Sequence, residues 1–346
     1  MAARILWEDV VRVRIPALRI KDSQAGKFEM HMPQEKTLLL IDTNSIIHRA
    51  FHALPPLKTK EGSPGGAIYG SLLAFFKMLS DFDPDFVGAA FDFPGKTFRH
   101  EKYKEYKAHR PKAPEELISQ IKETERVFSE MGVKVLKEEG LEADDIVGSV
   151  CSLSPAGTKV VIATGDLDLL QLAGSKIKVY TLKKGVKESV LHDENSVKEK
   201  YDGILPERIP DIKALQGDPS DNIPGIEGVG EKTAIKLIKE FDTIEELYEQ
   251  IKENPSSEYL SKRIGKSTFR KLKEGKRKAF LSKELASIRS DGLSGLDIKD
   301  LSFTRDEERI KEVLDRLGFK TLANRFSRGA SEEEKEEEEK NLSFGF

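Results

Sequence analysis

Short apolar runs alternate with amphipathic segments along the first half of the chain. The amphipathic segments have helical periodicity, with apolar residues three or four positions apart over Tyr69–Leu79 and Glu115–Met131. The apolar runs have the length of strands buried on both faces: Thr37–Ile41, Phe86–Phe91, Val133–Leu136 and Lys159–Ala163. This alternation predicts an α/β fold, with a parallel sheet flanked by helices on both faces.

The pattern changes after about residue 205. Prolines at 206, 210, 219 and 224 separate short helical segments, and the chain to about residue 325 is predicted to be mostly helical. The first 36 residues show no sustained period, and the end of the chain is rich in glutamate. We therefore predict four segments: a poorly ordered extension 1–36, an α/β domain 37–205, a helical domain 206–326 and an acidic flexible tail 327–346.

Composition limits the class of protein. Hydrophobic residues make up 38% and charged residues 34% of the 346 residues, which is enough apolar material for a core. The single cysteine, Cys151, excludes an internal disulfide and fits a reducing compartment. No run approaches the roughly 18 apolar residues that span a bilayer, and the N-terminus lacks a signal-peptide pattern. A cytoplasmic protein without a membrane partner is expected.

Charge is unevenly distributed along the chain. The net charge is −3, but residues 332–340 contain seven Glu and two Lys and so contribute −5. The other residues therefore carry +2, the difference between these two values. Because several of their acids are expected to cluster, the rest of the surface is predicted to be basic, as in proteins that bind nucleic acid.

Acidic residues directly follow several of the predicted strands. Asp42, Asp92 and Asp166 each stand after an apolar run, and the carboxyl ends of parallel strands meet at one edge of a sheet. So many carboxylates cannot lie together ionised without cations, and an oxygen-only set favours Mg²⁺ or Mn²⁺. The sequence predicts two such ions, which can activate a water against a phosphodiester. Further acids follow closely, open a helix or form a later pair: Asp168, Glu142, Asp144, Asp145, Asp218 and Asp221.

Each acid also has an ordinary structural explanation. A single Asp after a strand is commonly a helix N-cap or a turn residue, and acids at a helix start interact with the helix dipole. The repetition of acids at three strand ends, one helix start and a later pair favours the metal site over coincidence.

Two segments have the composition of DNA-binding surfaces. Residues 96–112 contain seven Lys or Arg against two Glu, with Phe98, Tyr103 and Tyr106 interleaved. Basic side chains neutralise phosphates and aromatic rings stack on unpaired bases, although a solvated helix face explains this segment equally well. From 262 to 283, ten Lys or Arg accompany one Glu, which makes a second candidate track for phosphates.

Residues 225–233, GIEGVGEKT, place glycines ahead of a helix predicted over Thr233–Glu240. Backbone amides exposed by such glycines can bind a phosphate at the helix N-terminus. The pattern resembles a helix-hairpin-helix element, which grips the DNA backbone without reading bases, and a plain glycine-rich turn is the alternative. The candidate DNA-binding residues here are Gly225, Gly228, Gly230, Lys232, Thr233 and Lys236.

Five stretches of the chain resemble the 5′ nuclease domain of bacterial DNA polymerase I, a relative of flap endonucleases. In order, between about Leu38 and Phe326, they are IDTNSIIHRAFHALP, FDFPGKTFRHEKYKEYKAHR, GLEADDIVGS, TGDLDLLQL and GDPSDNIPGIEGVGEKTAIKLI. The resemblance implies a resolvase-like (PIN-like) nuclease domain followed by a helix–three-turn–helix domain. Asp145 and Asp218 are expected to contact the metal ligands rather than the metal ions, or to bind a metal ion through a water molecule. The implied ligands are Asp42, Asp92, Glu142, Asp144, Asp166, Asp168 and Asp221.

The same resemblance assigns roles to the basic segments. Lys107 and Arg110 match a basic pair that contacts the scissile phosphate beneath a helical arch. Arg99 and Tyr103 are expected to contact DNA, and Tyr103 to position the displaced strand. The hairpin at Gly225–Gly230 is expected to hold K⁺ through backbone oxygens and to bind the downstream duplex.

The chain departs from the family pattern at its ends. Residues 1–36 have no counterpart, and no polymerase region follows, so a separate DNA polymerase is an expected partner. The last residues resemble the short peptide that docks into the bacterial sliding clamp, with Asn341 where Gln is usual and apolar Leu342, Phe344 and Phe346. Tethering by such a peptide would raise the local enzyme concentration, although a sticky disordered end is the alternative.

The leading functional hypothesis is a structure-selective 5′-3′ exonuclease and flap endonuclease, acting in primer removal and DNA repair on DNA with 5′ flaps or 5′ ends. All the acidic positions of the pattern are filled, which favours an active enzyme over a non-catalytic branched-DNA binding protein. An RNA-cutting nuclease of the PIN type is expected to lack the glycine hairpin and the basic helical domain. A small-molecule phosphatase would have no use for residues 206–325.

Overall fold

The computed structural model describes residues 35–182, 189–253 and 258–328. The predicted extension (apart from its last two residues) and nearly all of the predicted acidic tail lie outside the described residues. The suggested clamp-binding residues Leu342, Phe344 and Phe346 therefore remain a prediction. No helix among those described is long and apolar enough to cross a membrane.

A six-stranded sheet forms the centre of the first domain, in the order β3-β2-β1-β4-β5-β6. β1 to β5 run parallel, which confirms the predicted parallel sheet, and β6 pairs antiparallel with β5 at one edge. The sequence analysis found the first four strands but not the last two. The strands are β1 (Lys36–Asp42), β2 (Phe86–Ala90), β3 (Lys134–Leu136), β4 (Thr158–Thr164), β5 (Ile177–Leu182) and β6 (Ser189–His192).

Helices cover both faces of the sheet, and alternate residues of β1 show how. Leu39 and Ile41 belong to the core beneath α1, α2 and α4, whereas Leu38 and Leu40 belong to the core beneath α5. This is the period of two expected for a strand buried on both faces. The helices of this part are α1 (Thr43–Ala53), α2 (Gly66–Phe82), α3 (Phe98–Lys102), α4 (Glu115–Glu130), α5 (Ala143–Leu153) and α6 (Glu194–Lys200).

The helical region has an apolar core of its own. Leu215, Ile226, Leu237 and Leu272 are all buried within it. Here α7 lies against α8 and α11, so that the glycine segment between α7 and α8 is fixed on both sides. The helices are α7 (Ile209–Gln216), α8 (Glu231–Phe241), α9 (Ile244–Glu253), α10 (Glu258–Ile264) and α11 (Lys266–Ala286).

The chain after α11 returns to the α/β domain, so the predicted segment 206–326 is divided between two cores. Leu301 packs with the residues beneath α5. Helices α12 (Glu307–Leu317) and α13 (Lys320–Arg328) bury Leu314 and Leu322 with Phe75 of α2. The apolar period of these helices predicted their existence, but a period carries no information about which core a helix joins.

Candidate active site

Asp42 lies where β1 ends and α1 begins. As the N-cap residue of α1, it accepts a hydrogen bond at Oδ1 from the Ser45 backbone N–H at 3.4 Å. Thr164, at the end of the neighbouring strand β4, donates its hydroxyl to Asp42 Oδ2 at 2.6 Å. The ordinary N-cap explanation is thus correct for Asp42, and it also fixes the carboxylate at the carboxyl edge of the sheet.

Asp92 and Asp166 follow the strands on either side of β1. Asp92 Oδ2 accepts from the Asn44 side-chain amide at 2.9 Å, and Asp92 Oδ1 accepts from the Ala143 backbone N–H at 2.8 Å. The Asp166 backbone N–H donates to Thr164 Oγ1 at 2.8 Å. Since β1, β2 and β4 are adjacent and parallel, the three strand-end acids meet at one edge, as the sequence predicted.

A cavity of about 490 Å³ lies at this edge. Four of its carboxylates have no Lys or Arg within salt-bridge distance among the described residues, and we call them the open carboxylates: Asp42, Asp92, Asp144 and Asp166. Burial, together with the neighbouring Asp92 and Asp166, raises the pKa of Asp42 to about 6. Burial and the charges of Asp42 and Asp166 likewise raise the pKa of Asp144.

These carboxylates surround the cavity without closing on one point. Among the described residues, no three His, Cys, Asp or Glu side chains are grouped closely enough to hold a metal ion as they stand. Mutual repulsion accounts for this spacing, because like charges at short range disfavour one another. The donors nevertheless fit a hard divalent cation, since they are all oxygens and their charges are not neutralised by the protein.

The remaining predicted metal ligands already contact cationic side chains, and we call them the paired carboxylates: Glu142, Asp145, Asp168, Asp218 and Asp221. Lys107 Nζ lies 3.1 Å from Glu142 Oε1 and 3.7 Å from Asp221 Oδ2, and Arg110 also pairs with Asp221. The buried Tyr106 hydroxyl donates to Glu142 at 3.0 Å and to Asp221 at 3.2 Å. Glu142 and Asp221 raise the pKa of Lys107 even though burial alone would lower it.

Lys107 and Arg110, which were expected to lie beneath a helical arch, belong to a segment that is not itself helical. Helix α3 ends at Lys102, and residues 104–109 form turns. Lys107 adopts a left-handed backbone conformation, with φ of 52°, and its N–H donates to the Asp221 carbonyl at 2.9 Å. The Asn222 side-chain amide donates to the Glu105 carbonyl at 2.6 Å. These bonds hold the basic turn against the loop after α7 and so place Lys107 and Arg110 beside the cavity.

Asp168 and Asp218 share one lysine of α7. Lys213 Nζ lies 2.6 Å from Asp218 Oδ2 and also pairs with Asp168. Burial and the charge of Asp166 raise the pKa of Asp168 to about 6. The pKa of Asp218 is lowered instead, because Lys213 and bonds from Ser220 outweigh its burial.

Arg99 is buried and so does not fit its predicted role in DNA binding, whereas Asp145 lies behind the cavity, as expected for an acid that does not contact the metal ion directly. The Asp145 side chain is fully buried, and its two oxygens accept from Arg99 at 2.6 and 2.8 Å. Backbone N–H groups of Glu142 and Arg289 fill its remaining acceptor positions. Arg99 is 2% exposed and also donates to the Leu285 carbonyl. This pair therefore joins α5 to α3 and to the end of α11. Neither side chain lines the cavity, but Arg99 also pairs with Glu142, which does, at 3.3 Å.

The predicted hairpin lies between α7 and α8. Gly225 has a positive φ of 57° and approaches Gly217 so closely that an added Cβ would lie 2.2 Å from its nitrogen. Gly228 and Gly230 are exposed, as are Lys232 and Lys236 on α8, which begins at Glu231 rather than at Thr233. Thr233 is half-buried and its N–H donates to the Gly230 carbonyl at 3.0 Å.

The Gly228 carbonyl and the Tyr103 ring, two other groups expected to serve DNA binding, already contact other side chains. Lys271 of α11 donates to the Gly228 carbonyl at 3.3 Å, so a side-chain cation already contacts one of the oxygens expected to bind K⁺. Tyr103 is half-buried against Tyr106 and Leu285 in a small cluster between the two domains. Its ring is therefore only partly available for stacking.

Several residues that line the cavity were missed by the sequence analysis. Asn44, His48 and His52 line it from α1, as does Arg49, whose guanidinium donates to the Gly165 carbonyl at 2.7 Å. The signal was present, because residues 44, 48 and 52 are spaced by four and so share one face of a helix. Lys213, which lies outside the cavity lining, was also missed, and Tyr106 was expected to stack on bases, whereas its hydroxyl bonds Glu142 and Asp221.

Two family models match successive parts of the chain. The model described as 5′-3′ exonuclease, N-terminal resolvase-like domain, matches residues 37–202. The model described as 5′-3′ exonuclease, C-terminal SAM fold, matches residues 204–309.

Curated relatives include DNA polymerase I of Bacillus subtilis strain 168, which is 40% identical over 308 residues, or 88% of this chain. DNA polymerase I of Mycobacterium tuberculosis strain H37Rv is 43% identical over 218 residues, or 62% of this chain. The matched parts are 34% and 24% of those two proteins, so the chain spans about a third and about a quarter of their lengths.

Solved structures share the fold. The T5 5′-exonuclease with divalent zinc ions bound has a TM-score of 0.62 at 18% identity, covering 82% of this chain and 100% of its own. The catalytic core of Rad2 in complex with DNA substrate has a TM-score of 0.53 at 16% identity, covering 88% of this chain and 91% of its own.

Proposed function

The chain belongs to the 5′-3′ exonuclease family, and from that premise we propose that it cuts DNA near 5′ ends and 5′ flaps. In this proposal it hydrolyses phosphodiester bonds with two Mg²⁺ or Mn²⁺ ions, in primer removal and DNA repair. One observation carries the proposal: the open carboxylates converge on a cavity that Lys107 and Arg110 also line. Acids and bases that line the same cavity suit a site for a phosphate together with its metal ions.

The groups that would hold the divalent ions are the open carboxylates, with Glu142, Asp168, Asp218 and Asp221 beside them. The ions would supply a water of lowered pKa and stabilise charge on the phosphate oxygens. Lys107 and Arg110 would bind the same phosphate. When they turn towards it, Asp221 would lose its ion pairs and Glu142 would keep only its pair with Arg99. The T5 relative carries divalent zinc, which supports metal dependence without identifying the physiological ion.

The hairpin and α11 would bind duplex DNA beside the cavity. The exposed amides of Gly228 and Gly230 can face phosphates at the start of α8, with Lys232 and Lys236 on that helix. Rad2, which has a similar fold, is described in complex with DNA substrate. A separate DNA polymerase and the sliding clamp remain predicted partners, the first because the curated relatives are DNA polymerases.

The proposal is tested with a 5′-labelled flap substrate. The full chain and its Asp166→Ala variant are incubated with the flap in Mg²⁺ or in EDTA. We expect cuts near the junction only for the wild type and only in Mg²⁺. Asp315→Ala, which removes an exposed carboxylate from α12, is the matched control and is expected to cut normally. Tight binding of the flap without cutting in Mg²⁺ would instead identify a non-catalytic branched-DNA binding protein.

A further inference from the structure

Lys213 stands between two acids that were predicted to serve the metal site. Its Nζ pairs with Asp168 and lies 2.6 Å from Asp218 Oδ2. Its side chain is only 12% exposed, so the two carboxylates are its main source of stabilisation.

The contacts of Asp168 tie this ion pair to the cavity. The Asp168 backbone N–H donates to Asp166 Oδ1 at 3.0 Å, and Asp166 is one of the open carboxylates. The acids on the two sides of this hydrogen bond therefore differ in one respect. Asp166 contacts no cationic side chain among the described residues, whereas Asp168 already pairs with Lys213.

An ammonium between two carboxylates occupies the position that a second divalent ion would need. Such an ion must either displace Lys213 or bind beside a positive charge in a partly buried setting, where screening by water is weak. The open carboxylates present no competing cation to a first ion. The open carboxylates and the Asp168–Asp218 pair therefore differ in how readily they can accept a divalent ion.

We propose that Lys213 is a built-in competitor for the second divalent ion, so that the chain without DNA binds one ion well and a second one weakly. The proposal rests on the proposed function, because it takes the carboxylates at this edge to be metal ligands. Lys213 acts here as a positioning residue: it keeps Asp168 and Asp218 together, and it sets how readily they accept a metal ion.

In the test, Mn²⁺ is titrated into the full chain without DNA, and calorimetry measures the binding. The wild type is expected to bind a first ion at least tenfold more tightly than a second. In Lys213→Gln the amide can still hydrogen-bond both acids but carries no charge, and the second ion is expected to bind at least tenfold more tightly than in the wild type. Lys213→Arg keeps the charge and is expected to keep weak second-ion binding.

Lys239→Gln is the matched control, because it removes a lysine that pairs with Asp202 on the surface. Its titration is expected to match the wild type. An unchanged second affinity in folded Lys213→Gln would overturn the proposal. A wild type that binds no Mn²⁺ would contradict the proposed function instead, so the two failures are distinguishable.

A second measurement uses the wild type alone, in case Lys213→Gln does not fold. Lysine amines are labelled at rising Mn²⁺ concentrations, and the labelled positions are identified by mass spectrometry. Labelling of Lys213 is expected to rise at least threefold over the range in which the second ion binds, because the displaced ammonium becomes accessible. Labelling that stays constant while the second ion binds would overturn the proposal.

Discussion

The open and the paired carboxylates come from the same loops and strand ends, yet the fold treats them differently. Asp42 and Asp144 are buried near other acids, and their pKa values are raised. Asp145, directly after Asp144, is satisfied on both oxygens by Arg99. The comparison shows that adjacent acids can have opposite effects on folding. When ionised, the buried Asp42 and Asp144 disfavour folding until a cation binds, whereas the ion pair of Asp145 with Arg99 holds parts of the protein together.

Replacing an open carboxylate is expected to have the largest effect. Asp144→Asn is expected to lower the rate of flap cutting on the order of 10³-fold, equivalent to about 4 kcal/mol of transition-state stabilisation. In EDTA its midpoint of thermal unfolding is expected to equal or exceed that of the wild type, since a repelled buried charge is removed. Asp315→Asn serves as the control for both measurements. A clearly less stable Asp144→Asn would mean that this acid is structural.

Replacing the neighbouring paired acid tests the other half of the comparison. Asp145→Ala removes the bidentate partner of the buried Arg99 and leaves only Glu142, at 3.3 Å, to balance its charge. The expected cost is about 3–5 kcal/mol in the free energy of unfolding. Urea denaturation measures this cost. The double variant with Arg99→Met, which removes both charges, is expected to recover part of the loss. A loss below about 1 kcal/mol would place this pair with weak surface ion pairs.

The raised pKa of Asp42 makes a separate prediction about the pH dependence of stability. The pKa of Asp42 is raised from 3.8 to about 6 in the folded chain, so the folded state binds this proton more tightly than the unfolded state. Stability in EDTA is therefore greatest below about pH 4 for this group and falls as pH rises to about 6, by roughly 3 kcal/mol at most. Urea unfolding of wild type and Asp42→Asn across pH 4–7 measures the difference. Parallel curves would contradict the raised pKa.

The smallest expected effect extends the comparison to the hairpin, where Lys271 contacts the Gly228 carbonyl. Lys271→Gln is expected to weaken binding of a blunt duplex by a few fold, or about 1 kcal/mol. K⁺ is expected to restore part of this loss at constant ionic strength, whereas tetramethylammonium is not. Lys278→Gln removes a charge from the same helix and controls for the general loss of positive charge. If K⁺ strengthens wild-type binding just as much, Lys271 does not substitute for the ion.

The sequence predicted the strand-end acids well because their position follows from local rules. Each of Asp42, Asp92 and Asp166 follows an apolar run, and parallel strands bring such positions to one edge. The sequence could not predict which acids would be open, because that depends on partners far away in the chain. Arg99 and Asp145 are separated by 46 positions, and Lys213 and Asp168 by 45.

The same limit explains the misplaced end of the helical domain. The apolar faces of α12 and α13 predicted helices, and helices are present. Their partner is the core that contains Phe75, and this follows only from three-dimensional packing. The position of Lys107 and Arg110 beneath a helical arch was implied by the resemblance and stays a prediction, and Lys107 itself has a left-handed backbone conformation.

The most direct measurement is the anomalous diffraction of crystals of the full chain grown in Mn²⁺. We expect a strong peak in the cavity, within about 2.1 Å of oxygens of at least two open carboxylates. Any peak beside Asp168 and Asp218 should be weaker and accompanied by movement of Lys213. A peak only beside Asp168 and Asp218, or no peak at this edge of the sheet, would contradict the account.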